Sequence, residues 1–377
     1  MTPVSFVRLR HWPGRAPVAT SRFDGAMAPT PLPQNRPVRW GILATGGIAA
    51  TVTADLLALP DECGVVAVAS RDLDHARAFA AERGIPRAYG SYQELAEDDG
   101  VDVVYVATPH SHHFEPTRAC IEAGRHVLVE KPLTPSAADT DALLRLAQEH
   151  DRFCMEAVWM RCNPIIRRAA ELVHDGAIGE LSHVRANFEI TFTGDDSHRL
   201  VNPALAGGAI LDLGVYPLHA MDLVLGKPDS LVAAGRLHRT GVEAHAEALL
   251  TWGDVVGHAS CSIGGQTPMA LHLVGSTGRI EVPDFLKPSR MTLVPREGEP
   301  EEFRARVPGN GYTFEAQEVN ACLRRGALES SLVDHASTRR VAAVMDDWRA
   351  QVGAPALDSH EPALDSRKPA LDSHEVE

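Results

Sequence analysis

The sequence predicts an α/β protein in two parts: a doubly wound parallel sheet, followed by an α+β domain with an open, mainly antiparallel sheet. With 377 residues, the chain is longer than one typical domain and suits two. Apolar runs alternate with helix-like segments over residues 38–157, which is typical of β–α–β units. From residue 181 onwards alternating strand patterns follow one another, which indicates a second and different sheet.

The first part is predicted to be six strands deep, and strand and helix signals locate most of its elements. Strands are predicted at residues 38–44, 63–69, 101–107, 126–129 and 153–158. Helices are predicted up to Leu59, over 73–83, 91–98, up to Gly124, and from Pro135–Ser136 to His150. Asp72 and Ser136 are suitable N-caps, and Gly84 is a suitable helix stop.

The second part is predicted from longer alternating runs. Strands are predicted over residues 181–192, 244–252, 255–263, 270–276, 278–283 and 290–295. Helices are predicted after Asn163–Pro164, over 207–222, and around 314–325 and 335–351.

The domain boundaries follow from composition at the two ends. Residues 1–37 are rich in Pro and Arg without periodicity, and we expect a disordered leader. The dinucleotide-binding domain is expected over 38–157 and the substrate and dimerisation domain over 158–352. Residues 353–377 repeat the heptads PALDSHE, PALDSRK and PALDSHE, whose regular prolines predict a disordered tail.

Charge and composition exclude several classes of function. The formal net charge is −14, which argues against nucleic-acid binding because that affinity rests on Lys and Arg at phosphates. No run approaches the roughly 18 apolar residues of a spanning helix, so no membrane association is expected. Six scattered cysteines without a CxxC pair indicate reduced thiols in a cytoplasmic protein, and neither a disulfide framework nor a zinc site.

The turn after the first strand is a candidate phosphate-binding loop. Ala44, Gly46 and Ala49 stand where the dinucleotide fingerprint has G-x-G-x-x-G/A, so the first glycine is missing. Alone, this match fits a generic βα turn better. The second predicted strand ends in Ser70–Arg71 where an NAD site wants an acid, which favours NADP over NAD. A plain surface charge is the alternative for Arg71.

A polar loop follows the third strand and carries His110, His112 and His113. Three ligands so close in sequence cannot easily converge on one metal ion, so a loop that lines a cofactor is the better interpretation and no metal is expected.

Lys131 is the most unusual residue of the predicted sheet. Glu130–Lys131–Pro132 follows a buried strand, at the edge where open α/β sheets bind ligands. Asp212, Tyr216 and His219 recur at i, i+4 and i+7 of the predicted 207–222 helix. An ammonium near Tyr216 would lower its pKa and make a Lys–Tyr acid–base pair. From the residues alone, a half-buried structural tyrosine remains favoured.

Five motifs, in this order, resemble the Gfo/Idh/MocA oxidoreductase family over residues 38–350. They are A-T-G-G-I-A, A-T-P-x-x-x-H, V-E-K-P-L, E-A-x-W-x-R and G-G-x-x-L-D-L-G-V-Y-P. The chain is most similar to the branch of dimeric dihydrodiol dehydrogenases and NADP-dependent D-xylose dehydrogenases. The resemblance implies a Rossmann domain, an open-faced sheet domain that serves for dimerisation, and a cis Lys131–Pro132 bond.

The resemblance also implies the roles of individual residues. Lys131 and Tyr216 are expected to be catalytic, Asp212 to orient the substrate, and Trp159 and Arg161 to form the pocket wall. His219 matches no catalytic position and is expected at the helix surface or pocket rim. The expected cofactor-binding residues are Thr45, Gly46, Gly47, Ile48, Ser70, Arg71, Thr108, Pro109, His113 and Glu130.

These observations predict an NADP(H)-dependent, homodimeric oxidoreductase that moves hydride to or from a hydroxyl-bearing carbon of a sugar or cyclic trans-diol. Two alternatives stay open: a related oxidoreductase acting on inositol or keto-sugars, and a non-catalytic NADP(H)-binding sensor. The presence of both Lys131 and Tyr216 speaks against the sensor.

Overall fold

Six parallel strands build the first sheet of the computed structural model, which describes residues 31–357. The strands are β1 (Val38–Leu43), β2 (Cys63–Ala69), β3 (Arg87–Tyr89), β4 (Val103–Val106), β5 (His126–Glu130) and β6 (Cys154–Ala157). Their order is β3-β2-β1-β4-β5-β6, which is the doubly wound order. Strands β2 and β3 lie on one side of β1, and β4, β5 and β6 lie on its other side, so the strand order reverses between β1 and β4. The predicted parallel sheet is confirmed, and β3 is the strand that the sequence did not locate.

Helices join these strands, and their ends follow the capping residues. The helices are α1 (Gly47–Leu57), α2 (Leu73–Arg83), α3 (Tyr92–Ala96), α4 (Phe114–Glu122) and α5 (Ala137–Glu149). The side chains of Asp72 and Ser136 accept backbone N–H bonds at the starts of α2 and α5, as predicted. Gly84 ends α2 with a left-handed φ of 69°.

An eight-stranded sheet forms the second layer. Its strands are β7 (Leu181–Glu189), β8 (Ser230–Leu237), β9 (Glu243–Trp252), β10 (Val255–Ser262), β11 (Ala270–Gly275), β12 (Gly278–Pro283), β13 (Arg290–Pro295) and β14 (Glu301–Arg304). The order is β14-β13-β12-β11-β7-β10-β9-β8, and the pair β7–β10 is parallel while the other pairs are antiparallel. The mainly antiparallel sheet is therefore confirmed, with β8 and β14 in addition to the predicted strands.

Five helices accompany this sheet: α6 (Trp159–Cys162), α7 (Pro164–His174), α8 (Val215–Leu225), α9 (Thr313–Arg324) and α10 (His335–Gln351). Helix α8 packs on β7, and α10 packs on α8, α5 and β8, so α10 bridges the two sheets. Helix α9 returns to the first sheet, where Asn320 Oδ1 accepts from Trp40 Nε1 at 3.2 Å. The core is continuous across both layers as a result.

Some residues of both predicted disordered ends contact the folded part of the chain. The backbone N–H of Leu32 donates to Leu323, and Arg36 forms an ion pair with Asp102, so residues 31–37 lie against the folded body. At the other end Arg349 donates to the carbonyl of Pro355. The remainder of the predicted leader, residues 1–30, and of the tail, residues 358–377, lies outside the described residues.

Within residues 31–357 one helical stretch, Pro203–Leu225, is long and apolar enough to cross a membrane. However, 83% of its most apolar window is buried inside the protein, as is typical of a core helix.

Candidate active site

The carboxyl ends of β1, β2, β4 and β5 carry the residues that the sequence singled out. Because β1 and β4 are neighbours at the point where the strand order reverses, a crevice opens above them. The candidate site lies along this crevice, with the π-helical turn Ile210–Gly214 of the second part facing it.

The loop between β1 and α1 has room for a phosphate group. Gly46 is the N-cap of α1 without a side-chain cap, and Cβ atoms at Gly46 and Gly47 would meet nothing within 4 Å. The N–H groups at the start of α1 are therefore accessible, and the helix dipole favours an anion there. Ala44 adopts the left-handed φ of 92° that the usual glycine would take without strain. The loop keeps the fingerprint's shape although its first glycine is missing.

At the end of β2, Ser70 is buried and Arg71 is exposed. The pKa of Tyr92 is raised by burial, while the charge and hydrogen bond of Arg71 oppose that rise. The pKa of His112 is lowered by burial and by the positive charge of Arg71. Arg71 thus lies near Tyr92 and near the loop after β4, with its side chain exposed at the end of β2.

The loop after β4 is fixed from within by Thr108 and His113. The hydroxyl of Thr108 donates to the carbonyl of His112 at 2.9 Å. The ring nitrogens of His113 lie 2.8 Å from the carbonyl oxygens of Pro132 and Thr108. Hydrogen bonds to two carbonyls would raise the pKa of His113, but burial has the larger effect and lowers this pKa to about 4. The ring is therefore neutral and donates a hydrogen bond to one of the two carbonyls.

His113 is fully buried, and its role in the loop along the cofactor stays a prediction. Its ring joins the Thr108–Pro109 loop to the Lys131–Pro132 corner. The Lys131–Pro132 bond is cis, as the resemblance implied.

Lys131 and Asp212 form the central ion pair of the site. Lys131 Nζ lies 2.8 Å from both Asp212 Oδ1 and the Asp212 carbonyl oxygen. Burial alone would raise the pKa of Asp212, but the positive charges of Lys131 and Arg199 outweigh it and hold that pKa well below its usual range. Asp212 is therefore ionised and fixes the position of the lysine ammonium.

Glu130 supports the same corner from below. Its carboxylate accepts from the Tyr105 hydroxyl at 2.5 Å and from the Lys131 backbone N–H at 3.2 Å. Burial raises the pKa of Glu130. Since Glu130 is 7% exposed, it acts mainly on the backbone of Lys131.

Tyr216 lies beside the ammonium, as the predicted pair requires. Lys131 Nζ is 5.1 Å from the centre of the Tyr216 ring, and Trp159 Nε1 donates to the Tyr216 hydroxyl oxygen at 3.1 Å. The predicted lowering of the tyrosine pKa is wrong for this state of the site. Burial, followed by the charge of Glu130, raises the pKa of Tyr216 well above its usual value. The hydroxyl is consequently a proton donor at neutral pH.

The segment with Asp212 and Tyr216 is not the regular helix that the sequence predicted. Residues Ile210–Gly214 form a π-helical turn, and Val215 N donates back to the Ile210 carbonyl. The wide turn precedes Pro217, which lacks an N–H and whose ring crowds the preceding turn. It leaves both Asp212 and Tyr216 near the Lys131 ammonium.

Two functional candidates were missed because they lie in segments without periodicity. Arg199 Nη1 contacts Asp212 Oδ1 at 3.0 Å, and its side chain is 52% exposed. His110 Nε2 lies 3.5 Å from the same oxygen, while Nδ1 lies 3.0 Å from the Ala206 carbonyl. The one sequence signal for them is Asp212 itself, because a carboxylate in an otherwise apolar helix segment needs cationic partners.

Arg161 and His219 lie mostly inside the protein, and the expectation for His219 is corrected. Arg161 is 5% exposed, as is Asp212, and it forms an ion pair with Asp222 at 3.2 Å, so its place in the pocket wall stays a prediction. His219 is completely buried, with Nε2 3.3 Å from Glu156, so it lies neither at the helix surface nor at the rim. Trp159, 8% exposed, does border the site through Tyr216.

Residues 31–357 contain no group of three or more His, Cys, Asp or Glu side chains that could hold a metal ion. All six cysteines lie in this part of the chain and are buried and free.

Comparison with known proteins gives one family for both parts of the chain. A profile of an oxidoreductase family with an NAD-binding Rossmann fold matches residues 38–158, and a GFO/IDH/MocA C-terminal domain profile matches residues 166–281. Trans-1,2-dihydrobenzene-1,2-diol dehydrogenase of Mus musculus is 37% identical over 330 residues, covering 84% of this chain and 97% of that protein.

Solved structures with the same fold include two oxidoreductases. A 3-ketoreductase from Actinomadura kijaniata, in complex with NADP and TDP-benzene, matches with a TM-score of 0.75 and 28% identity over 84% of this chain and 98% of that one. An aldose-aldose oxidoreductase from Caulobacter crescentus matches with a TM-score of 0.77 and 23% identity over the same shares.

Proposed function

The chain belongs to the Gfo/Idh/MocA oxidoreductase family, as an NAD(P)-dependent dehydrogenase acting on CH–OH groups, and from this premise we propose its cofactor, substrates and catalytic residues. The cofactor is NADP(H), and the substrate is a sugar or a cyclic trans-diol. NADP(H) bound along the crevice would supply the acceptor or donor of the hydride for the carbon that carries the reacting hydroxyl. Lys131, Asp212 and Tyr216 hold that hydroxyl and move its proton.

The observation that carries this proposal is the contact of one ammonium with both partners. Lys131 Nζ uses two donors on Asp212, and an ammonium has three. The third can bind the substrate oxygen while the ring of Tyr216 lies 5.1 Å away. A general acid–base group is effective only within hydrogen-bond reach of the proton it moves, and on this proposal the Tyr216 hydroxyl comes within that reach of a substrate oxygen held by Lys131.

Tyr216 is suited to give a proton in the reducing direction and to take it back in the oxidising direction. Its oxygen already accepts from Trp159, so its own O–H points to another acceptor, which is the substrate oxygen. The Trp159 bond opposes the burial that raises the pKa of Tyr216. It therefore stabilises the phenolate that forms once the proton has left.

The residues that we propose to bind the cofactor are distributed along the whole crevice. The open loop at Gly46–Gly47 suits the pyrophosphate, since its N–H groups are accessible. The exposed guanidinium of Arg71, with Ser70 before it, suits a 2′-phosphate and supports NADP over NAD. Thr45 and Ile48 flank the first loop, and Thr108, Pro109 and Glu130 belong to the wall beside the nicotinamide.

A homodimer built through the open face of the eight-stranded sheet belongs to the same proposal. Val232, Leu249 and Val256 on this face are 68%, 52% and 43% exposed. Exposed aliphatic side chains grouped on one sheet face are typical of a protein interface. A cytoplasmic location is also proposed, because six free thiols suit a reducing compartment.

The proposal is tested with a panel of aldoses, inositols, keto-sugars and cyclic trans-diols, each with NADP and with NAD, by following the absorbance of the reduced cofactor. Turnover of an aldose or trans-diol with NADP is expected. Turnover confined to inositols or keto-sugars would replace the substrate class. NADPH binding without turnover of any compound would favour the sensor and overturn the enzyme proposal.

A further inference from the structure

Arg199 is a cation in the candidate site for which the proposed reaction has no use. Lys131 already neutralises Asp212, yet Arg199 Nη1 approaches the same carboxylate oxygen at 3.0 Å. Two full positive charges therefore share one carboxylate oxygen and lie less than about 6 Å apart, where like charges repel.

The exposure of Arg199 differs from that of arginines that pair with carboxylates inside this protein. Arg161 and Arg349 neutralise Asp222 and Glu243 with side chains that are 6% and 7% exposed. The side chain of Arg199 is 52% exposed, although Asp212 beneath it is 7% exposed. Its side chain thus reaches a buried carboxylate while about half of its surface remains in contact with solvent.

The backbone of Arg199 is held firmly, which makes its side chain a prepared binding group. Gly208 N donates to the Leu200 carbonyl at 2.8 Å, and a Cβ at Gly207 would lie 2.5 Å from the Arg199 carbonyl oxygen. Leu200 and Val201 are 4% and 0% exposed, so the residues that follow Arg199 are anchored in the core. The loop thus presents the guanidinium at a fixed place.

The unused donors of this guanidinium suit an anion. Arginine has five N–H donors in a planar fork that matches a carboxylate, and the contact with Asp212 employs Nη1. The Glu130 carboxylate is already held by Tyr105 and by the Lys131 backbone. Burial raises the pKa of Glu130, which weakens its compensation of the local positive charge.

We propose that Arg199 forms a subsite for an anionic substituent of the substrate, so that the preferred substrates are acidic polyols such as sugar acids or carboxylated cyclic diols. This inference rests on the proposed function, because the anion is bound beside the hydroxyl that Lys131 and Tyr216 handle. The guanidinium fixes the carboxylate with charge-assisted hydrogen bonds, and the ring hydroxyl is thereby directed to Lys131.

The test compares sugars that differ only in the acidic group: D-glucose with D-glucuronate, and D-galactose with D-galacturonate, each with NADP. For the full-length protein, kcat/KM for the acid is expected to exceed that for the neutral sugar about tenfold or more, as hydrogen bonds to charged groups allow. Arg199→Met should remove this preference, and Arg199→Lys should retain part of it. Added NaCl should reduce it.

The preference is read as a ratio within each variant, so a general loss of activity through Asp212 cancels. Arg145→Met, which removes an exposed arginine of α5, is the matched control and should keep the wild-type ratio. Equal kcat/KM for acid and neutral sugar in the wild type, or an unchanged ratio in Arg199→Met, overturns the subsite alone. Absence of turnover with all four sugars and with the diols overturns the proposed function and the subsite together.

Discussion

Arg71 is the residue on which the choice of cofactor depends. Arg71 is exposed and follows Ser70 directly after β2. In this fold the residues at that position contact the ribose 2′ group of a bound dinucleotide, which carries a phosphate in NADP. Arg71→Ala is expected to raise the Kd for NADPH by about tenfold, because a charge-assisted phosphate contact is lost, and to leave NADH binding unchanged. Quenching of protein fluorescence by each reduced cofactor measures both constants.

Arg77→Ala provides the control for this substitution, since Arg77 is an exposed residue of α2 paired only with Asp74 at 3.5 Å. Its NADPH affinity should stay at the wild-type value. If Arg71→Ala weakens NADPH and NADH equally, Arg71 has no phosphate role.

At the residue scale, the sequence could predict residues with unusual positions and missed those in irregular loops. Lys131 is conspicuous in the sequence because a lysine at the end of a buried strand is unusual, and the structure pairs it with Asp212. Arg199 lies in the irregular stretch before Gly207, where no pattern links it to the site. Arg161 was assigned to the pocket from resemblance, and only the packing reveals its burial with Asp222. The chemical roles of Lys131, Asp212 and Tyr216 stay predictions.

A buried ionic network joins α6, α8 and β6 at the contact between the two sheets. Arg161 lies 3.2 Å from Asp222 and 3.4 Å from His219, which faces Glu156. Arg161→Met should lower the free energy of unfolding by about 3 kcal/mol, because removing one partner leaves a buried charge less compensated. Urea unfolding measures this loss, and KM for the substrate should not change.

Arg118→Met is the matched control, because the Arg118 side chain is 45% exposed and its ion pairs lie on the surface. It should alter the unfolding free energy by less than about 0.5 kcal/mol. A raised KM with unaltered stability in Arg161→Met would return Arg161 to the pocket wall that the sequence predicted.

Asp102 couples strand pairing at the start of β4 to pH. Burial would raise its pKa, but hydrogen bonds from Arg36 and Arg39 outweigh it and lower the pKa to about 2, against an ordinary 3.8. Because the folded-state pKa is depressed, the stabilisation is complete above about pH 4 and is lost as the pH falls from 4 to 2. It amounts to about 2 kcal/mol at neutral pH.

Asp102→Asn removes this titration. Its free energy of unfolding should be lower than that of the wild type at pH 6, and the two should converge toward pH 2.5 in urea titrations. Parallel pH dependences for the two proteins would show that Asp102 does not contribute in this way.

At the element scale, periodicity located the long strands and helices and failed for weak patterns. The three residues of β3 are too few for a pattern, and β8 contains Ala233, Ala234 and Gly235, which are poor strand signals. The π-helical turn at Ile210–Gly214 also escaped, because five residues are too few to show a separate periodicity and only the following Pro217 indicates a disturbance. Capped helices such as α2 were predicted to the residue.

The open face of the eight-stranded sheet determines the assembly that we propose. Leu249 on β9 pairs with His258 on β10 and with Val232 on β8, near one edge of this sheet. Leu249→Arg should convert the homodimer to a monomer, since it places a charge in an apolar contact. Sedimentation equilibrium measures the mass.

Leu57→Arg, at the end of α1, introduces the same charge at a similarly exposed leucine, 40% against 52%, away from the sheet. It should remain dimeric. A monomeric wild-type protein, or a dimeric Leu249→Arg variant, would exclude this face as the interface.

For the whole molecule, the sequence predicted that one sheet follows the other along the chain. It could not predict which residues connect the two sheets in space. Asp55 of α1 accepts hydrogen bonds from the backbone N–H groups of Asn310 and Tyr312, more than 250 residues away. Such long-range contacts leave no local pattern, so the return of α9 to the first sheet escaped the sequence. They hold Tyr312 against Trp159, with ring centres 4.7 Å apart, and so support the wall behind Tyr216.

Proton transfer by Tyr216 beside Lys131 is the central claim, and turnover of Tyr216→Phe tests it most directly. The variant keeps the ring next to the ammonium and loses only the hydroxyl. With a substrate identified from the panel and NADP, we predict that kcat falls by about 100-fold or more, as for a lost general acid–base group. NADPH affinity should stay within about twofold of the wild-type value, since the hydroxyl is assigned to the substrate.

Tyr89→Phe, which removes a hydroxyl bonded to Asp98, is the control and should keep wild-type turnover. Wild-type turnover by Tyr216→Phe would contradict the account.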